Sequence, residues 1–276
     1  MIKKILRNIL QPHKIPKKII KKIRFYIAKK NYNEDYFTEE QNKIFKRLDL
    51  NRPEGLKKLK NIKKYMNFEN RESPMSSEHE VVFSSLSLNN NIKISKILEI
   101  GTFDGMNSLL LSKIFPNADI DTIDLPYTES DFKNFYNRKN KIDEFINYRN
   151  NNLKKNNKIQ FLEKNSINLI NFKNKYDLIW VDGGHGYPIV CVDIINSLYL
   201  VSSNGVIMCD DIFFNLKLSQ SDRMYNSIAS FQTLNLLKKE NLINLEFIFK
   251  RVSTNENCLE QERKFIAILK KTIKNF

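Results

Sequence analysis

Two short segments carry the residue types best suited to chemistry: Asp182-Gly183-Gly184-His185 and Asp210-Asp211. Each follows an apolar run of strand type, Tyr176 to Val181 and Val206 to Cys209. In a doubly wound sheet the carboxyl ends of neighbouring strands face one crevice, so these four side chains should converge. Three carboxylates in one crevice repel one another and suggest a cation. An all-oxygen set suggests a hard one, so Asp182, Asp210 and Asp211 are expected to hold Mg²⁺ or Mn²⁺. His185 could take the proton from a hydroxyl, whose pKa the metal would lower. Asp182 and His185 are therefore the catalytic candidates. The plainer alternatives are an Asp that caps the next helix and a His that is a hydrogen-bonded loop residue.

A second glycine turn lies upstream. Lys96 to Ile100 is another strand-like run, followed by Gly101-Thr102-Phe103-Asp104-Gly105 and an apolar-periodic segment, Met106 to Phe115. That pattern reads as strand, tight turn, helix. Gly101 permits positive φ and close approach of a ligand to the backbone, and Gly105 lets the helix start near the strand. A further strand, Ala118 to Asp124, ends in an acid placed to hold the two hydroxyls of a ribose. A dinucleotide site wants G-x-G-x-x-G for a pyrophosphate. Here only G-x-x-x-G is present, with Asp104 inside it. That acid would repel phosphate but suits a ligand with a cationic amine, such as S-adenosylmethionine.

The stretch L-E-I-G-T-F-D-G resembles motif I of class I S-adenosylmethionine-dependent methyltransferases. D-G-x-H-x-Y at the fourth strand end, with D-D at the next, resembles a predicted methyltransferase family of that signature. It also resembles the metal-dependent O-methyltransferases of the macrocin and catechol types. The resemblance covers roughly residues 73–215. It implies cofactor contacts at Glu99, Gly101, Thr102, Asp104, Gly105, Asp124, Asn165, Ser166 and Asp182. Asn165 stands where the family has an Asp against the adenine ring. As a neutral partner it should bind more weakly.

The implied fold class is α/β: a Rossmann-like, doubly wound, mostly parallel sheet. A C-terminal antiparallel pair, Leu245–Phe249 with Phe265–Leu269, closes it. Residues 73–276 form the methyltransferase domain in this reading and 31–72 a helical lead-in. A helix is expected to start near Ser73–Glu78. The polar stretch 125–158 reads as one long helix or two short ones, either a solvated cover or an acceptor lid with Arg138 and Lys139 near an anionic group. Asn204-Gly205 reads as a turn and Asp222 to Leu237 as a helix. Phe213 and Phe214 read as core packing or as an apolar wall for an acceptor.

The net charge of +15 suggests nucleic acid, but its distribution argues otherwise. Residues 1–30 carry 11 of the 46 Lys and Arg and no acid, leaving 35 basic against 31 acidic residues beyond them. That remainder is nearly neutral and has no nucleic-acid footprint. Strand four lacks the N-P-P-Y end that binds a flipped adenine, and no Pro-Cys expected of a cytosine methylase occurs. Residues 1–30 read as a basic arm of two amphipathic helices broken by Pro12 and Pro16. Such an arm either lies peripherally on an anionic membrane surface, at its inner face, or packs on the domain or a second subunit of a homo-oligomer. No run of ~18 apolar residues could span a bilayer. Cys191, Cys209 and Cys258 form no CxxC pair. With no signal-peptide core, they fit a reducing cytoplasm.

The function this reading expects is methyl transfer from S-adenosylmethionine to a hydroxyl of a small molecule, such as a sugar or glycan precursor. The alternatives are a metal-independent enzyme acting on nitrogen or carboxylate, and a non-catalytic binding module of the same fold.

Overall fold

The computed structural model describes residues 17–66, 77–136, 141–215, 227–252, 259–260 and 263–272. Four helices come first: α1 (Lys17–Lys30), α2 (Glu34–Arg47), α3 (Arg52–Tyr65) and α4 (Glu78–Leu86). Then follow β1 (Lys96–Ile100), α5 (Met106–Ile114), β2 (Asp119–Asp124), α6 (Ser130–Tyr136), α7 (Ile142–Leu153) and β3 (Ile159–Glu163). A 3₁₀ turn (Ser166–Asn171) leads to β4 (Tyr176–Val181), α8 (Ile189–Leu200) and β5 (Val201–Ile212). The last elements are α9 (Ala229–Lys239), β6 (Ile243–Phe249) and β7 (Phe265–Lys271).

The seven strands form one sheet in the order β3-β2-β1-β4-β5-β7-β6. β1 to β5 are parallel, while β7 runs antiparallel to both β5 and β6. The expected Rossmann-like sheet with its closing antiparallel pair is therefore present. Strand alternation sends Leu178 and Trp180 to one face, and Ile179 and Val181 to the other. The first face packs Val82 and Phe83 of α4 and Leu111 of α5. The second packs Ile194 and Leu198 of α8 and Leu234 of α9. Both faces are covered, as a parallel sheet requires.

The lead-in helices join this core. Phe45 and Leu59 are buried in the first face. Arg52 holds Glu78 with two hydrogen bonds of 2.7 and 2.8 Å, and Gln41 adds a third to Glu78 at 3.2 Å. Gln41 also exchanges two hydrogen bonds of 3.0 Å with the backbone of Phe249, so it caps the outer edge of β6. A buried ion pair is tolerable only when its remaining valences are satisfied, as here.

The stretch after β2 forms two short helices, α6 and α7, the second of the two expected arrangements. Asn204-Gly205 is an excursion inside β5: Tyr176 pairs with Val201 and Leu178 with Val206, so the intervening residues bulge opposite one position of β4. α9 begins at Ala229, and Ser77 precedes α4. The helix start expected at 73–76, the first arm helix, Arg138, Lys139 and Cys258 lie outside the described residues. Cys191 and Cys209 are free thiols. No described helix is long and apolar enough to cross a membrane.

Candidate active site

A cleft of about 390 Å³ opens at the carboxyl ends of the parallel strands. Ile100 at the end of β1, Gly101 after it, Asp124 at the end of β2, and Asn165 and Ser166 after β3 line one part of it. Asp182, Gly183 and His185 after β4 and Asp210 and Asp211 of β5 line the rest. The two glycine turns and the double acid thus meet in one place.

Asp124 is half-buried at the rim. One carboxylate oxygen accepts from the backbone N–H of Phe103 at 3.0 Å, the other from Leu125 at 2.8 Å. Asn165 and Ser166 line the cleft, but Asn165 Oδ1 accepts from the N–H of Ile167 at 3.1 Å and starts the 3₁₀ turn.

Gly101 and Asp182 also line the cleft, whereas Glu99, Thr102, Asp104 and Gly105 are not among its lining residues. Gly101 has φ +103°, and a Cβ there would sit 2.3 Å from the carbonyl oxygen of Asp182. The close approach that requires glycine here is between the two turns. Gly105 has φ +74°, and its Cβ would meet Leu153 of α7 at 2.9 Å, so its role is packing on α7 rather than on the strand. Asp104 turns back to accept from the N–H of Met106, the first residue of α5, at 3.0 Å. Thr102 and Glu99 are buried in a hydrogen-bond chain: Thr102 donates to Thr122 at 2.7 Å, and Thr122 to Glu99 at 2.6 Å. Asn107 and Ser108 also donate to Glu99. Burial pushes the Glu99 carboxyl up to about 7 in spite of these donors.

Strand order brings Asp182, His185, Asp210 and Asp211 together. His185 Nε2 is 3.5 Å from Asp182 Oδ1 and 4.0 Å from Asp211 Oδ2. Burial alone would lower the imidazole's pKa. The facing carboxylates, Asp182 first, overcome burial and raise it above the ordinary value. Asp182 is itself raised, by burial and then by repulsion from Asp210. Its side chain is 34% exposed against 7% for His185, so Asp182 is the member of the pair that a ligand reaches more easily.

The expected metal site does not fit. Lys250, just after β6, donates to Asp210 Oδ2 at 2.5 Å and also to Asp211 Oδ1. Lys264, just before β7, donates to Asp211 Oδ2. Burial would raise Asp211, but Lys250, Lys264 and His185 hold it well below the usual carboxylate range. The two ammoniums neutralise the charge that would have attracted Mg²⁺ or Mn²⁺. Among the described residues no group of three His, Cys, Asp or Glu side chains is placed to hold a metal ion. Neither lysine stood out among the 46 basic residues of the sequence. The available signal was their position at the inner ends of the antiparallel pair.

Phe213 and Phe214 make no aromatic wall. Phe213 is buried, and Phe214 stacks on Phe265 at 4.1 Å and packs against Phe231 and Phe247. Polar and charged side chains surround the His185 end instead.

A family model described as "Methyltransferase domain" matches residues 98–212, the span from β1 to the end of β5. Those residues are a methyltransferase domain. With the turn after β1 and Asp124 at the end of β2, it is of the class I, S-adenosylmethionine-dependent kind. No curated protein matches the sequence. Among solved structures, an O-methyltransferase from Bacillus cereus in complex with SAH is 15% identical, covers 78% of this chain and 91% of its own, and has a TM-score of 0.48. The O-methyltransferase TomG from Streptomyces achromogenes, in complex with SAM, is 15% identical over 85% of this chain and 98% of its own, also at 0.48. A SAH-bound methyltransferase from Podospora anserina is 18% identical over 78% and 88%, again at 0.48.

Proposed function

We propose that this methyltransferase domain methylates a hydroxyl of a small polyhydroxylated acceptor, such as a sugar or glycan precursor. The supporting observation is the His185 end of the cleft, where Asp182, Asp211, Lys250 and Lys264 offer hydrogen-bond acceptors and donors. S-adenosylmethionine supplies the electrophilic methyl group. Asp124 accepts from its ribose hydroxyls, and Asn165 and Ser166 flank its base. The Asp182–His185 pair takes the proton that the acceptor hydroxyl loses as its oxygen forms the new bond. Asp182 meets the hydroxyl, and His185 stabilises the charge behind it. Release of S-adenosylhomocysteine across a panel of hydroxylated sugars and flat catechols tests this. Turnover with catechols alone would sink the sugar reading.

We further propose that the arm contacts an anionic membrane. Ile19, Ile23, Tyr26 and Ile27 of α1 are exposed, so this stripe is not packed on the domain. The arm carries 11 basic residues and no acid, so a second copy of it would bring like charge. Co-sedimentation with phosphatidylserine vesicles should fall with salt and on deletion of residues 1–30. Binding that ignores both would refute the contact.

A further inference from the structure

In the site proposed above, the place of a divalent cation is already filled from within the chain. Asp210 and Asp211 present four carboxylate oxygens, and lysine ammoniums take three of them: Asp210 Oδ2, Asp211 Oδ1 and Asp211 Oδ2. The fourth, Asp210 Oδ1, is buried. A hard cation needs several of these oxygens in a near-octahedral shell. It would have to evict Lys250 to obtain them.

Lys250 is held firmly. Its N–H donates to the carbonyl of Lys264 at 3.0 Å, and its carbonyl accepts from the N–H of Glu78 at 2.9 Å. Glu78 is in turn clamped by Arg52. The ammonium is nearly buried, yet Lys250 lines the cleft. An ammonium has three N–H donors. The two carboxylates use two of them, leaving one for an oxygen in the cleft.

We propose that Lys250 is the built-in cation of this site. Its ammonium takes the place of a divalent metal, binds the oxygen of the acceptor hydroxyl and fixes it beside Asp182. Lys264 completes the neutralisation of Asp211 and keeps Lys250 from being displaced. The proposal rests on the methyl-transfer reading for the identity of the acceptor, but not for the exclusion of metal.

Mn²⁺ is the probe, followed by paramagnetic resonance of the free ion during titration into the full chain. The wild type should take up no Mn²⁺ at millimolar concentration. Lys250→Met should bind one ion at least tenfold more tightly, and adding Asp211→Asn should remove it. A thermal melt checks that each variant is folded. If Lys250→Met does not fold, Lys250→Met/Asp210→Asn, which deletes the pair together, serves in its place, with Asp182 and Asp211 left to bind the ion. Wild-type binding that Asp211→Asn abolishes would overturn the proposal, and so would the absence of any gain in the folded lysine variant. A second readout is the acceptor's KM. It should rise in Lys250→Met and be partly rescued in Lys250→Arg, while S-adenosylmethionine affinity by calorimetry stays unchanged. An unchanged KM would remove the acceptor contact. Failure of the wild type to bind S-adenosylmethionine would instead count against the methyl-transfer reading and leave the Mn²⁺ result standing.

Discussion

Lys250 and Asp210 lie 40 residues apart in the chain and 2.5 Å apart in space. The pairing follows from topology. β7 is antiparallel to both β5 and β6, so β6 runs in the direction of β5 and ends at the same rim. The residue after β6 therefore reaches the acids of β5.

The Asp182–His185 pair gives a kinetic prediction. Opposite charge raises His185, so the pair should accept the acceptor's proton only as pH climbs past the ordinary histidine value of 6.5. The pH–rate profile should rise with a midpoint above that value. It describes the pair rather than either residue. Asp182→Asn removes the first of the raising influences and should shift the midpoint down while cutting the rate. His185→Ala should lose about 10²–10⁴ in rate, the usual worth of a positioned proton acceptor. A rate and profile unchanged from wild type in both variants would remove the pair from the chemistry.

Asp124 governs cofactor affinity. Asp124→Ala should weaken S-adenosylmethionine binding by about 1–3 kcal/mol, the range for losing hydrogen bonds to a charged group. Isothermal titration calorimetry measures it. Undiminished affinity would place the ribose elsewhere.

Gly101→Ala should damage the fold as well as the site. The new Cβ would lie 2.3 Å from the Asp182 carbonyl oxygen at a φ of +103°. A loss of about 1–3 kcal/mol in urea unfolding is expected from such strain. Because the clash pushes on Asp182, turnover should fall further than stability alone explains. A variant as stable and active as wild type would contradict the contact between the two turns.

Glu99 should make stability pH-dependent. Its carboxyl moves from 4.5 to about 7 because burial disfavours the charge. The folded state thus holds the proton more tightly than the unfolded one. The stabilisation is complete below 4.5 and is lost as pH rises through about 7. At 1.36 kcal/mol per unit the total is about 3 kcal/mol. Glu99→Gln stays neutral, so its melting temperature should vary less than that of wild type from about pH 5 to about pH 8, a span that crosses the raised value. Parallel melting curves would show that Glu99 is ionised throughout.

Periodicity and turn chemistry by themselves located the apolar strands and the glycine turns at their ends, while the closing antiparallel pair was implied by the resemblance to the methyltransferase family. Apolar runs ending at Gly101, Asp124, Asp182 and Asp210 place those residues on one rim, because parallel strands share a carboxyl edge. What surrounds each residue on that rim depends on contacts distant in sequence. Gly101 is glycine because β4's turn crowds it, and Glu99 faces Asn107, Ser108 and Thr122 rather than the cleft. The acids' partner was decided the same way. A charge cluster in the sequence calls for a counter-ion without saying which, and only the antiparallel return of β7 brings Lys250 and Lys264 to Asp210 and Asp211, where a metal was expected.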